Sequence, residues 1–294
     1  MNWPRNCVIP HESLADHTSF RIGGPAEWYA EPSTMEELLA LLRAAQDSGI
    51  PVCVIGGGTN LLACDRGVRG LVLRLGKSFR TVRVLSHDEA PDATVACGAA
   101  VLTQRLVSLA GRYGWGQLET LAGLPGQVGG AVTMNAQQIG RFVERITLVS
   151  LDGTARQVPK RDMGFGYRYT ALEPGIITEV VLRFSKTSAE ISADSIHQAL
   201  CRRNATQDTQ LPSAGCAFKN PQGMAAGRLI DEAGLKGRRI GDAQISSRHA
   251  NFIVNVGHAT CSDVLALMEH VQRRVARVFG IRLEPEVRML GETL

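Results

Sequence analysis

The sequence predicts a mixed α/β protein of more than one domain, and three observations predict it. The chain has 294 residues, 44% of them hydrophobic, which is ample for a large buried core and long for a single domain. Its opening section runs helix, strand, glycine loop, strand. The remainder alternates strand signals with a few helices and closes on a long amphipathic helix. These patterns divide the chain into sections 1–76, 77–187 and 188–294.

In the first section, "EPSTMEELLALLRAAQDSGIPVCVIGGGTNLL" (31–62) sets Thr34 three residues before Glu37, a capping box. Leu38, Leu41, Leu42 and Ala45 follow at helical spacing, and Gly49 with Pro51 ends the helix. "VCVI" is an all-apolar run before glycines and reads as a buried strand; "GLVLRL" is another apolar strand. In the second section "TVRVL" and "ATVACG" read as strands, and "AVLTQRLVSLAGRYG" as a helix ending at Gly114. "TLVSLDGTARQV" reads as a hairpin around Asp152-Gly153, and "ITEVVLRFS" as the strand that closes the section. In the third, "SADSIHQALCRRNATQ" and "AAGRLIDEAG" look helical, and "NFIVNV" is a strand with Phe252, Val254 and Val256 on one face. "SDVLALMEHVQRRVARVFG" is a long helix with Ser262 as its N-cap and Gly280 as its stop.

Composition excludes several classes. A net charge of +4 with 5% aromatics and no basic run beyond "KGRR" (236–239) does not describe a nucleic-acid binder, although that run could meet a substrate phosphate. The seven cysteines include no CxxC pair, which argues against zinc and thioredoxin-type sites and fits a reducing cytosol. No signal peptide is visible, and no apolar run reaches the ~18 residues of a membrane span. The expectation is a cytoplasmic protein without membrane partners.

Two glycine-rich loops stand out, "IGGGTN" (55–60) and "GLPGQVGGAVTMNA" (123–136). Bare backbone can approach a phosphate closely and point N–H groups at it, and Thr59 and Asn60 add side-chain donors. Either loop could also be a tight turn. Gly56, Gly57 and Gly58 lack the continuation of a dinucleotide fingerprint. "GLVLRLGKS" (70–78) ends like a P-loop but is one residue too long and reads as a strand. "SAGCAFKNP" (213–221) raises a separate question: Cys216 there could be packing, a metal ligand, a redox thiol or a proton donor.

Eight blocks then follow in one order: "HTSFRIGGPAEWY", "VIGGGTNLL", "LAGLPGQVGGAVTMNA", "FGYRYT", "SAGCAFKNP", "LIDEAGLKG", "HANFIVN" and "LEPEVRMLG". Together they span nearly the whole chain, and the series resembles the UDP-N-acetylenolpyruvoylglucosamine reductase (MurB) family. The resemblance implies an FAD-binding vanillyl-alcohol-oxidase-like (PCMH-type) fold in two subdomains, 1–76 and 77–187, and a C-terminal MurB-type α/β substrate domain, 188–294. It implies non-covalent FAD with NADPH as reductant. The partner is the enolpyruvyl ether of a UDP-sugar, reduced to UDP-N-acetylmuramate in peptidoglycan precursor synthesis by a monomer or weak oligomer. The FAD positions would be Ile55, Gly56, Gly57, Gly58, Thr59, Asn60, Leu61, Gly123, Pro125, Gly126, Gly129, Gly130, Ala131 and Asn135.

The family's catalytic roles fall on Arg168, Cys216 and Glu286. Arg168 would clamp the substrate carboxylate. Cys216 stands where most of the family has serine and would donate the proton, since an ordinary thiol near pKa 8.5 is mostly protonated at neutral pH. Glu286, rather than Glu284, would assist the same centre. Tyr167, Lys219, Asn220 and Lys236 match substrate-contacting positions, and His249 reads as structural. Two departures bear on this: "NAQQIG" (135–140) replaces the common "NAGAYG", and the short stretch from Arg168 to Cys216 resembles the family's shorter, type II branch. The rival readings are a flavin oxidase of the same fold and a non-catalytic FAD-binding electron-transfer module.

Overall fold

A computed structural model describes residues 3–4, 7–86, 89–207 and 210–291. The first part of the chain forms β1 (Val8–Ser13), β2 (Pro25–Ala30), α1 (Met35–Asp47), β3 (Val52–Ile55), β4 (Leu61–Ala63) and β5 (Val68–Arg74). The middle forms β6 (Val82–Val84), β7 (Asp92–Gly98), α2 (Thr103–Tyr113), α3 (Val128–Thr133), β8 (Val143–Val149) and β9 (Ala155–Pro159). A short hairpin, β10 (Gly164–Gly166) and β11 (Tyr169–Ala171), precedes β12 (Ile176–Ser185) and α4 (Ala189–Thr206). The last part forms β13 (Ser213–Cys216), α5 (Ala226–Glu232), β14 (Arg239–Ile240), β15 (Ala243–Ile245), β16 (Phe252–Asn255), α6 (Cys261–Phe279) and β17 (Arg288–Leu290).

The chain folds as two compact units, and they interleave along the sequence. The first holds 1–9, 28–57 and 70–203; the second holds 10–27, 58–69 and 204–294. The sections at 1–76, 77–187 and 188–294 are therefore not the units: most of the first two share one unit, and two stretches of the first join the C-terminal third.

Two larger sheets run β1-β2-β5-β3 and β6-β7-β12-β8-β9. In the second, β12 is central and antiparallel to both β7 and β8, and Val180, Leu182 and Phe184 are almost fully buried. α1 and α2 add Leu38, Leu41, Leu42, Leu106 and Ala110 to the same core. The second unit has the sheet β13-β16-β15-β14, covered by α6, and a two-stranded parallel pair, β17-β4. Its core gathers Leu62, Phe218, Ile230, Ile253, Leu267 and Val271.

Most expected elements are present where their patterns placed them, with local differences. The Thr34 side chain accepts from Glu37 N–H at 3.2 Å, but the Glu37 carboxylate accepts from Ser33 N–H at 2.6 Å, one residue short of a reciprocal box. Gly49 takes φ +64 just past α1, as a C-terminal glycine should. β3 is an edge strand, and of "VCVI" only Ile55 is fully buried. β16 is buried on both faces, and Val256 lies beyond it. α6 is capped by Thr260 instead of Ser262, because Thr260 and Asp263 exchange the reciprocal bonds of a capping box.

Candidate active site

The two glycine loops meet through bare main chain in the first unit. A Cβ added at Gly57 would lie 2.8 Å from Gly126 Cα, so any side chain there would part the loops. At Gly130 an added Cβ meets nothing within 4 Å. Gly126 has φ +104 and Gly123 +74, conformations that favour glycine. Main-chain bonds from Val128 N–H to Val101 O (2.8 Å) and Gly129 N–H to Ala99 O (2.9 Å) fix the second loop against the turn between β7 and α2. Ile55, which pairs with Arg74, and Ala131 are buried, so both can serve a ligand through main chain only. Close-packed bare backbone with open space above Gly130 fits a diphosphate-bearing cofactor. The first loop divides after Gly57: Gly58, Thr59, Asn60 and Leu61 belong to the second unit, where Leu61 opens β4.

Arg168 sits on the two-residue turn of the β10–β11 hairpin, where Gly166 pairs with Tyr169. Its φ is +57, a left-handed conformation that an arginine adopts at some cost. The turn is anchored from below: Asn135 Nδ2 donates to Gly166 O at 2.8 Å, and Thr170 Oγ1 donates to Val132 O at 2.6 Å. Asn135 Oδ1 in turn accepts from Gly140 N–H at 3.0 Å. The Asn135 amide, assigned to the cofactor from sequence, is thus engaged in holding the Arg168 turn. Exposed Tyr167 lies with its ring centroid 5.5 Å from the Arg168 guanidinium.

In the second unit, one stretch of chain carries Cys216 and another carries Glu286, and backbone bonds bring them together. Cys216 pairs with Phe252 at the end of β13, after a bulge at Gly215, whose φ is +78. Beyond it, Glu286 N–H donates to Ala217 O at 2.8 Å and Lys219 N–H to Glu284 O at 2.8 Å, with Phe218 bridged to Pro285. Cys216 and Glu286 are both half-buried. Arg168 belongs to the other unit.

The basic candidates are engaged with neighbours. Lys219 pairs with Glu284 at 3.3 Å and Lys236 with Asp231 at 2.6 Å, both at exposed positions. Asn220 Oδ1 accepts from Ala226 N–H at 3.0 Å at the start of α5. His249 lies against Phe252 with centroids 4.5 Å apart, and burial, with Lys236 nearby, depresses its pKa. One residue escaped the sequence reading. Asn251, 2% exposed, binds Phe218 on both sides: Phe218 N–H donates to Oδ1 at 3.0 Å and Nδ2 donates to Phe218 O at 2.8 Å. Its one signal is an asparagine inside an otherwise apolar run, a residue that demands buried partners.

Comparison with known proteins accords with this arrangement. Residues 26–157 match the FAD binding domain family, and residues 207–290 match the UDP-N-acetylenolpyruvoylglucosamine reductase C-terminal domain. The chain is 44% identical over 286 residues to UDP-N-acetylenolpyruvoylglucosamine reductase 2 of Symbiobacterium thermophilum, covering 95% of this chain and 91% of the relative. It is 40% identical to the reductase of Geobacter metallireducens, covering 98% and 95%. The crystal structure of UDP-N-acetylenolpyruvylglucosamine reductase (MurB) from Thermus caldophilus superposes with a TM-score of 0.79 at 38% identity, over 96% of this chain and 98% of that one. With both of its domains matched and its length shared, this chain belongs to the UDP-N-acetylenolpyruvoylglucosamine reductase family.

Proposed function

We propose that this chain is the FAD-dependent, NADPH-driven reductase that converts the enolpyruvyl ether of UDP-N-acetylglucosamine to the lactyl ether, UDP-N-acetylmuramate. The observation that carries the mechanism is the pairing of the Cys216 strand with the Glu286 segment in one unit, where the Glu286 N–H donates to the carbonyl of Ala217, the residue after Cys216. FAD, when bound, takes the reducing equivalents of NADPH and delivers them to the enolpyruvyl double bond.

The bare backbone at Gly56, Gly57, Gly126, Gly129 and Gly130 would hold the cofactor's diphosphate, since an added Cβ at Gly57 or Gly129 would strike main chain or Ala99. Reduction at one carbon of a C=C bond conjugated with a carboxylate builds charge on that carboxylate. Arg168 would meet this charge with its planar fork, a preorganised donor whose turn is fixed by Asn135 and Thr170. Cys216 Sγ would give its proton to the adjacent carbon and recover one from solvent. Glu286 would steady the same centre. Lys219, Asn220, Lys236 and Tyr167 are assigned to the UDP-sugar.

Free cysteines throughout and soluble, nucleotide-linked substrates support action in the cytoplasm. Among the described residues no helix is long and apolar enough to cross a membrane. The test is substrate-dependent NADPH consumption. It is expected to require the UDP-sugar and to proceed equally well without oxygen. Consumption that needs oxygen and ignores the UDP-sugar would overturn the reading in favour of an oxidase.

A further inference from the structure

Both main-chain polar groups of Glu286 are held. Its N–H reaches Ala217 O, as above, and its carbonyl accepts from Asn60 Nδ2 at 3.1 Å across 226 residues of sequence. Asn60 is half-buried and stands where the first glycine loop becomes β4. Its own carbonyl accepts from Arg288 N–H at 3.0 Å, and from there β4 runs parallel to β17 with Leu61 opposite Arg288. The stretch before Asn60 is fixed as well. Gly58 has φ +66, and a Cβ there would fall 2.0 Å from His17 O. Ser19 N–H donates to Gly58 O at 3.1 Å, while Ser19 Oγ donates to Ser213 O at 2.7 Å, three residues before Cys216.

We propose that Asn60 is a positioning residue for Glu286, not a ligand of the flavin. The two peptide units that flank Glu286 set the direction in which its side chain leaves the main chain. Ala217 fixes one edge of that segment and Asn60 the other. Removing the Asn60 donor takes this bond from the Glu286 carbonyl and loosens the hold on residues 284–287, which moves the carboxylate without touching the glycines that serve the cofactor. The inference rests on the reductase reading, because only that reaction gives Glu286 a role.

The test separates the two half-reactions in FAD-loaded protein. Asn60→Asp is close in size and exchanges the N–H donor for an oxygen facing the Glu286 carbonyl. It is expected to bind FAD within about threefold of wild type and to be reduced by NADPH at an unchanged rate, while reoxidation by the UDP-sugar slows about 10- to 100-fold. Asn60→Ser, smaller and still a donor, is expected to recover part of that loss and serves the same comparison should the aspartate variant not fold. In a Glu286→Gln background the Asn60 substitution should slow reoxidation much less than in wild type, because its effect passes through Glu286. Weakened FAD binding with both half-reactions slowed alike would make Asn60 a cofactor ligand and overturn the proposal, as would unchanged reoxidation or an undiminished effect in the Glu286→Gln background. Wild-type flavin that the UDP-sugar does not reoxidise would instead strike at the reductase reading itself.

Discussion

Among single residues, Cys216 bears most directly on the chemistry. It is half-buried at the end of β13, its neighbour Ala217 is bonded to Glu286, and Asn251 clamps Phe218 from the other side. Half-buried, the Cys216 thiol is open to a substrate, as the fully buried thiol of Cys97 is not. Cys216→Ser keeps a dissociable proton and is expected to retain substantial turnover. Cys216→Ala is expected to lose about 10²-fold or more in kcat, with flavin reduction by NADPH unaltered; an unimpaired alanine variant in steady-state assays would remove the assignment. Arg168 makes a second case. Its φ of +57 is a strained conformation that the surrounding bonds enforce, and no sequence signal announces it. "GYRYT" marks the arginine only through family resemblance; the Asn135 side chain and the Val132 carbonyl that anchor its turn come from chain more than 30 residues upstream.

At the scale of elements, the departure "NAQQIG" has a physical reading. Gln137 and Gln138 take φ +50 and +59 in the short helical turn of residues 136–141, and Ile139 is fully buried where the commoner motif has tyrosine. Glycine would occupy position 137 without strain, so the turn keeps its shape at a cost of about 1 kcal/mol per left-handed residue. Gln137→Gly is expected to match or slightly exceed wild-type stability, because relief of strain is partly offset by the looser unfolded chain. Gln137→Val should lie about 1–2 kcal/mol below it in denaturant unfolding, and equal midpoints for the two variants would contradict the left-handed assignment. α6 supplies a parallel case. Thr260→Ala should cost about 1 kcal/mol through loss of its cap bond to Asp263. Ser262, the sequence's candidate cap, sits one residue inside the helix and donates to Asp65.

Helices α1, α2 and α6 were legible because their apolar spacing is local. The β4–β17 pair was not, since three residues at each end of the chain carry no pattern that reveals a partner 227 positions away, as Leu61 and Arg288 are. The site divides the same way. Its candidate side chains stand out in short motifs, whereas Asn251 looks like an ordinary strand residue, and the motifs that mark Asn60 and Asn135 do not reveal the distant main chain to which their side chains bond.

At the scale of the whole molecule, the two interleaved units explain why the three consecutive sections read from the sequence do not coincide with the compact bodies. Segment 58–69 is tied to the C-terminal third by contacts such as Asp65, whose carboxylate accepts from Cys261 N–H at 2.6 Å and Ser262 N–H at 3.0 Å. Both units also carry buried acids that govern stability at high pH. Burial pushes the thiols of Cys97 and Cys261 from 9.0 up to about 12, and burial with nearby Glu31 raises the Tyr29 phenol from 10.0 to about 12. An unfolded chain releases these protons at their ordinary values while the folded protein keeps them. Their contribution is therefore complete below about pH 9 and is lost as pH rises towards 12. Unfolding midpoints should fall across that window, and Cys97→Ala should flatten the decline of the first unit. A midpoint constant from pH 9 to pH 11 would show that these groups titrate alike in both states.

An anaerobic spectral titration of the FAD-loaded protein tests directly whether the chain is a reductase of the UDP-sugar. NADPH is expected to bleach the flavin absorbance, and one equivalent of UDP-N-acetylenolpyruvoylglucosamine is expected to restore it with formation of UDP-N-acetylmuramate. A flavin that NADPH cannot bleach, or one that stays bleached when the UDP-sugar is added, would contradict the account.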